Sequence, residues 1–186
     1  MALRKANAYS KRHARPYTRK SKKRSKSYIK TIPHNKIVKF DMGNTKAYAA
    51  GKFPYTMKIL SKEDVQLRDN AFEACRQTVL KDLEKNLPGN YYFSIRKYPH
   101  HILRENRMYS GGSKGERVNT GMQGSFGSVI GRAAFVKAED TIFLVAFSDK
   151  KFLPIIRRAF EKVKPKLACG VKILFEKKEE KKSKKD

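Results

Sequence analysis

Two imidazoles and a carboxylate sit close together in the segment YPHHILREN (98–106): His100, His101 and, four residues after the second, Glu105. On a helix that spacing would bring His101 and Glu105 to one face for proton transfer or metal binding. Pro99 and the strand-like run before it oppose a helix here. The H-E-x-x-H pattern is absent and no third ligand is indicated. A second stretch, GGSKG (111–115), resembles a phosphate loop but lacks the G-x-x-x-x-G-K-[ST] spacing and a strand-to-helix context. Ser125 in GSFG does not have the G-x-S-x-G form of a nucleophile elbow. No nucleophile is paired with a base at motif strength. Binding is therefore the first reading, with the histidines packed beside, or bonded to, RNA or backbone. RNA processing through His100, His101 and Glu105 is the catalytic alternative.

The stretch around these residues is unusual in composition. Seven of eleven glycines fall within residues 98–132: Gly111, Gly112, Gly115, Gly121, Gly124, Gly127 and Gly131. Arg104, Arg107, Lys114, Arg117 and Arg132 stand there against two acids, Glu105 and Glu116. Between 108 and 131 no helical or strand period is sustained, and so long an irregular run is either functional or disordered. Glycine permits close backbone approach, and arginine offers a planar fork that fits phosphate or a guanine edge. A loop shaped by RNA fits both; a mobile surface loop with scattered charge is the plainer alternative.

Net charge points the same way. The 186-residue chain carries +27, an imbalance that concerns partners rather than fold. Residues 1–40 hold fourteen Lys or Arg and no acid. With few aliphatics, this arm cannot offset its ordering entropy alone. Its densest part is RPYTRKSKKRSK (15–26), which includes Lys20, Lys22, Lys23 and Arg24. Basic side chains neutralise phosphates, and the interspersed Tyr9, Tyr17 and Tyr28 present stacking faces. Pro16 and the missing apolar face disfavour a transit peptide. No apolar run approaches the roughly 18 residues of a membrane helix, and no signal-peptide segment follows Met1. Cys75 and Cys169 form no C-x-x-C and read as reduced thiols of a cytoplasmic protein. No metal or cofactor is implied.

The elements that must position these segments lie between 36 and 176. IVKFD (37–41) and YTMKIL (55–60) read as strands, with MGNTKAYAAGK (42–52) as a loop between them. SKED (61–64) resembles a capping box, so Ser61 is expected to start a helix. Val65, Phe72, Cys75, Val79, Leu83 and Leu87 would form its buried stripe, widened by Leu67, Ala71 and Ala74, and Pro88-Gly89 would end it. Residues 62–85 carry five basic and six acidic side chains, so this helix should lie away from an anionic partner. YYFSIRKY (91–98) alternates as a strand. AAFV (133–136) and TIFLVAF (141–147) are expected to pair as a hairpin about KAED. A second helix, with Pro154 in its first turn, should begin near Leu153 and end at Pro165. VKILF (171–175) is the last strand. Interspersed helices and hairpin-like strands predict a single α+β domain with a mixed or antiparallel sheet and two main helices. The predicted organisation is a basic arm (1–35), a body (36–176) containing the loop 108–131, and a disordered Lys-rich tail (177–186).

RPYTRK, IVKFDMGN (37–44), YPHHILREN, GERVNTGMQGSFG (115–127) and GRAA (131–134), in this order, resemble the universal large-subunit ribosomal protein sixteen family in its archaeal and eukaryotic "ten-e" form. The resemblance runs from about residue 15 to residue 172. It implies a hammerhead-type α+β domain without catalytic activity. It also implies binding to large-subunit ribosomal RNA near the aminoacyl-tRNA corridor. The glycine-rich loop would point toward the peptidyl-transferase region and tRNA, with other ribosomal proteins as neighbours. Motif by motif, the implied RNA-facing residues are Arg15, Tyr17 and Arg19 in the arm, and His100, His101, Arg104, Asn106, Arg107, Arg117, Met122 and Arg132 in the central segment. The cations Lys20, Lys22, Lys23, Arg24 and Lys114 join them on charge density. The sequence departs from the family at SKKRSK (21–26), which reads as an insertion. Gln123-Gly124 stand where a pair of arginines is usual, and Ser128-Val129 where Lys-Pro is usual, which removes three loop cations. The lysine-rich tail has no counterpart. A nucleic-acid architectural protein outside the ribosome is the third reading, distinguished by its binding to duplex DNA.

Overall fold

Seven uncharged, mostly β-favouring residues in TIFLVAF need cover on both faces, and this run forms the centre of the larger of two antiparallel sheets. The computed structural model describes residues 32–105 and 128–177; Arg104, Glu105 and Ser128 are described in their backbone only. In chain order the elements are β1 (Asp41–Gly43), α1 (Thr45–Ala49), β2 (Tyr55–Ser61), β3 (Val65–Arg68), α2 (Asp69–Asn86), β4 (Tyr91–Ile95), β5 (His101–Glu105), β6 (Ser128–Val136), β7 (Thr141–Phe147), α3 (Leu153–Val163) and β8 (Val171–Lys177). Single 3-10 turns flank α3, at Lys150–Phe152 and Lys164–Lys166.

The five-stranded sheet has the order β1-β4-β7-β2-β8, and the three-stranded sheet the order β3-β6-β5. In the larger sheet Phe93, Val145, Met57 and Phe175 lie in register as one row across four strands. Helices α2 and α3 pack together over that face. Phe72, Cys75, Val79 and Leu83 from α2 meet Ile156, Phe160 and Val163 from α3 and the inward residues of the sheet. The small sheet adds Val65, Leu67, Ala134 and Val136 to the same core. Across the sheet a second cluster joins Phe53, Tyr92, Leu144 and Ala146 beneath Ala47 and Tyr48 of α1. Every residue of β4 is consequently buried. The alternation of YYFSI separates two apolar layers rather than core from water.

Four local expectations are corrected. Residues 37–40 are not a strand; β1 begins at Asp41. The segment 42–52 contains α1, capped by Asn44, whose Oδ1 accepts the Ala47 amide at 2.9 Å. Ser61 ends β2 instead of opening a helix: its Oγ donates to the Glu63 carbonyl at 2.7 Å, and Asp64 accepts the Ala138 amide. Val65 and Leu67 reach the core from β3, where a two-residue period serves as well as a seven-residue one, and Ala74 is exposed. KAED does turn, with Glu139 at φ +66, but β6 and β7 do not pair with each other. The Ser61 amide and carbonyl bond Asp140 and Glu139 at 3.1 and 2.8 Å. The chain therefore crosses from one sheet to the other at this point in both β2–β3 and β6–β7. The strands at 55–61, 91–95, 141–147 and 171–177, the end of α2 before Pro88, and the start of α3 at Leu153 agree with the sequence pattern.

Candidate nucleic-acid interface

YPHHILREN and GRAA are separated by a long irregular run, yet the fold sets them side by side. The first leads into and contains the whole of β5, the second lies in β6, and His101↔Ala133, Ile102↔Arg132 and Leu103↔Gly131 are register partners. Hydrophobic Ile102 and Leu103 are buried and fix the strand. The two imidazoles have different surroundings. His100 is exposed, 4.5 Å between ring centres from Tyr98. His101 is buried against Phe135 at 5.3 Å. A joint site for both rings is not formed.

Arg132 reaches from β6 to the segment preceding β1. Its Nε donates to the Pro33 carbonyl at 2.6 Å, and one terminal nitrogen donates to the Tyr98 hydroxyl at 3.0 Å. Tyr98 stacks on Phe40 at 5.2 Å between ring centres. Residues 33–40, which form neither helix nor strand, lie as a strap held also from α2. The Lys36 amide donates to Asp69 Oδ2 at 3.2 Å, and the Val38 amide donates to Glu73 Oε2 at 3.3 Å. Ile37 is buried beneath the strap and Val38 faces outward.

The two acceptors are tuned in opposite directions. Burial pushes the Asp69 carboxyl up, against the pull of the Lys36 and Asn70 amides and the Lys36 and Arg132 charges. The Arg76 guanidinium holds Glu73 below the ordinary glutamate range through bonds of 2.6 and 2.8 Å. At the crossing between sheets, burial of Asp140 is outweighed by the Lys97 ammonium and the Lys137 amide, which hold its carboxyl down. Neither Asp69 nor Glu73 is marked in the sequence as a partner of the strap; they read as acids on a near-neutral helix, 33 and 35 residues away.

FDMGN also has a local cause. Gly43 takes φ +85, and a Cβ there would lie 2.4 Å from the Tyr91 carbonyl oxygen. That oxygen accepts the Asn44 amide at 2.9 Å, so this motif makes the turn from β1 into α1.

Arg15, Tyr17, Arg19, Lys20, Lys22, Lys23, Arg24, Asn106, Arg107, Lys114, Arg117 and Met122 lie outside the described residues. Arg104 is placed on β5 by its backbone. Among the described residues, no three His, Cys, Asp or Glu side chains are grouped to hold a metal ion, and no helix is long and apolar enough to cross a membrane. Cys75 is free and buried, and burial pushes its thiol up to about 12.

A family model described as ribosomal protein L16p/L10e matches residues 14–174, taking in the arm from residue 14, both motif strands and the connection between them. The chain belongs to the ribosomal protein L16p/L10e family. It is similar to the large ribosomal subunit protein uL16 of Pyrobaculum arsenaticum, 38% identical over 177 residues, which covers 95% of this chain and 93% of the relative. The protein of the same name from Methanococcus maripaludis is 35% identical over 181 residues, covering 95% and 96%. L16p/L10e is a family of ribosomal proteins rather than of enzymes.

Proposed function

We propose that this chain is a structural constituent of the large ribosomal subunit. In this reading it binds large-subunit ribosomal RNA near the aminoacyl-tRNA corridor and the peptidyl-transferase region. It supports tRNA positioning and subunit assembly in the cytoplasm. The observation that carries the reading is the L16p/L10e match over residues 14–174. The placement of charge supports it: fourteen cations and no acid in the first forty residues, joined to a body whose long helix is nearly neutral. Arg15, Tyr17, Arg19 and the neighbouring lysines would neutralise phosphates, release counterions and stack on exposed bases as the arm orders on RNA. Arg104, Arg107, Lys114 and Arg117 would do the same from the central segment.

Co-sedimentation of the full chain with large subunits, followed by cross-link mapping to ribosomal RNA, tests this. Binding to a large-subunit RNA transcript should fall with salt at a log–log slope of about −0.7 to −0.9 per phosphate contact, and duplex DNA should compete poorly. Salt-independent binding, or equal affinity for duplex DNA, would refute it.

A further inference from the structure

We propose that Arg132 is a positioning residue: it clasps the strap 33–40 to the β5–β6 edge and so sets where the basic arm leaves the body. This deepens the RNA-binding reading and rests on it. Motif resemblance alone would make Arg132 another phosphate ligand. Two of its five guanidinium donors are instead spent within the protein, on the Pro33 carbonyl at 2.6 Å and the Tyr98 hydroxyl at 3.0 Å. Those two acceptors diverge, one in the strap and one before β5. A planar fork can serve both together, whereas an ammonium is a point donor on a flexible stem.

The clasp is one of a set. Phe40 stacks on Tyr98, the residue that Arg132 bonds. Asp69 and Glu73 take the Lys36 and Val38 amides from the other side. Ile95 donates to the Phe40 carbonyl at 2.9 Å, which ends the strap on β4. Bonds to main-chain amides and a main-chain carbonyl hold the strap whatever its side chains, so they fix its path rather than select a partner. Pro33 lies only two residues beyond the last arm residue outside the described set. Fixing its carbonyl fixes the origin of the twelve cations that precede it, while Lys36 and Lys39 follow it within the strap. A loosened origin leaves each arm cation intact but spreads the places it can reach, and affinity falls by lost preorganisation.

The test uses the full chain and a large-subunit ribosomal RNA transcript over a salt series. Four proteins are compared: wild type, Arg132→Ala, an arm variant with Arg15, Arg19, Lys20 and Lys22 all changed to Gln, and the combination. Positioning predicts that Arg132→Ala lowers the salt slope by about two or more contacts' worth. It also predicts that the same change, made on the arm variant, which keeps eight of the twelve cations before Pro33, costs clearly less affinity than it does in the wild-type chain, because its effect runs through the arm. Arg132→Lys should fail to restore binding. In hydrogen exchange of the free protein, Arg132→Ala should speed the Lys36 and Val38 amides and leave β7 protected. A slope reduced by a single contact, an undiminished effect on the arm variant, and rescue by lysine would make Arg132 a direct phosphate ligand and overturn the proposal. So would unchanged exchange at Lys36 and Val38. Tyr98→Phe, which removes one acceptor and no charge, should reproduce part of the loss. Failure of the wild-type chain to bind in a salt-dependent way would strike the RNA reading itself, while the exchange result would still decide the clasp.

Discussion

Replacing Gly43 by alanine should loosen the corner that joins β1, α1 and β4. The backbone there has φ +85, and a residue with a Cβ is disfavoured in the left-handed region by about 1–2 kcal/mol. The added carbon would also sit 2.8 Å from a Tyr91 ring carbon and 2.4 Å from the Tyr91 carbonyl oxygen. The ring can rotate away. The oxygen cannot, because Tyr91 is paired with Phe147 in the centre of the sheet. The strain is relieved only by moving β1, which lengthens the Asn44–Tyr91 bond, net worth about 1 kcal/mol. Moving β1 also shifts Asp41 away from the Tyr92 hydroxyl, now 2.6 Å away; a bond to a charged group contributes about 1.5–3 kcal/mol. The upper estimate is then about 3.5–6 kcal/mol. Local opening of the edge strand can cap the global cost at a lower figure. The chain has nine tyrosines and no tryptophan, so urea unfolding is best followed by far-UV circular dichroism, with hydrogen exchange reading the corner. Gly43→Ala should cost at least about 2 kcal/mol or abolish protection of the Asn44 amide. A loss below about 1 kcal/mol with that amide still protected would refute the close-approach account of this glycine.

Leu83 is fully buried on α2, so Leu83→Asp places an unpaired carboxylate in the core and should remove cooperative unfolding altogether; a cooperative urea transition in that variant would contradict the packing. Glu73 has a folded-state pKa below its unfolded value. Its contribution is therefore present above about pH 4.3 and is lost as pH falls through the depressed value. Glu73→Gln should give a shallower decline of urea midpoint between about pH 5 and 3 than wild type, and equal declines would refute the Arg76–Glu73 coupling. Excising residues 111–124 should leave the unfolding midpoint within about 1 kcal/mol of wild type while ribosome co-sedimentation falls. Lost cooperativity would show that the segment contributes to the core.

Much of the body could be read from pattern alone. TIFLVAF, YTMKIL and VKILF are short apolar runs of β-favouring residues, and Pro88 and Pro154 mark helix ends by removing a donor and fixing φ. What failed was what depends on distant partners. Val65 and Leu67 suit either a helix stripe or an alternating strand, and the choice is made by pairing with Val136 and Ala134. Asn44 is an ordinary helix-capping residue, but α1 has only five residues and no buried face of its own, so no periodic signal announced it. The split into two sheets hinges on Ser61 bonding Glu139 and Asp140 across 78 and 79 positions, which no local period records. At the site, AAFV marks the second half of β6, but β5 (101–105) does not read as a strand in the sequence, and residues 128–131 of β6 read as part of the irregular loop. The strap's holders on α2, Asp69 and Glu73, are not marked by any pattern because their partners are main-chain amides, which any residue type but proline supplies.

The holders also answer an electrostatic problem posed by composition. The arm and the body are both net positive, so the arm is pushed from the surface that anchors it. Two unit charges about 10 Å apart in water repel by roughly 0.4 kcal/mol before screening, and salt reduces this over a Debye length of about 8–10 Å. Summed over many arm cations, the repulsion becomes comparable to one or two hydrogen bonds. The strap is held where the charge works the other way. Asp69 and Glu73 are carboxylates facing main-chain amides, and such charged bonds contribute about 1.5–3 kcal/mol against about 1 for neutral ones. Arg132 adds its own positive charge beside Asp69 rather than beside the arm's cations alone, and the Asp69 carboxyl is correspondingly drawn back toward ionisation. Neutralising either acid therefore removes a bond and an attraction together. The loss should be greatest at low salt, where arm repulsion is least screened, and smallest once RNA has neutralised the arm.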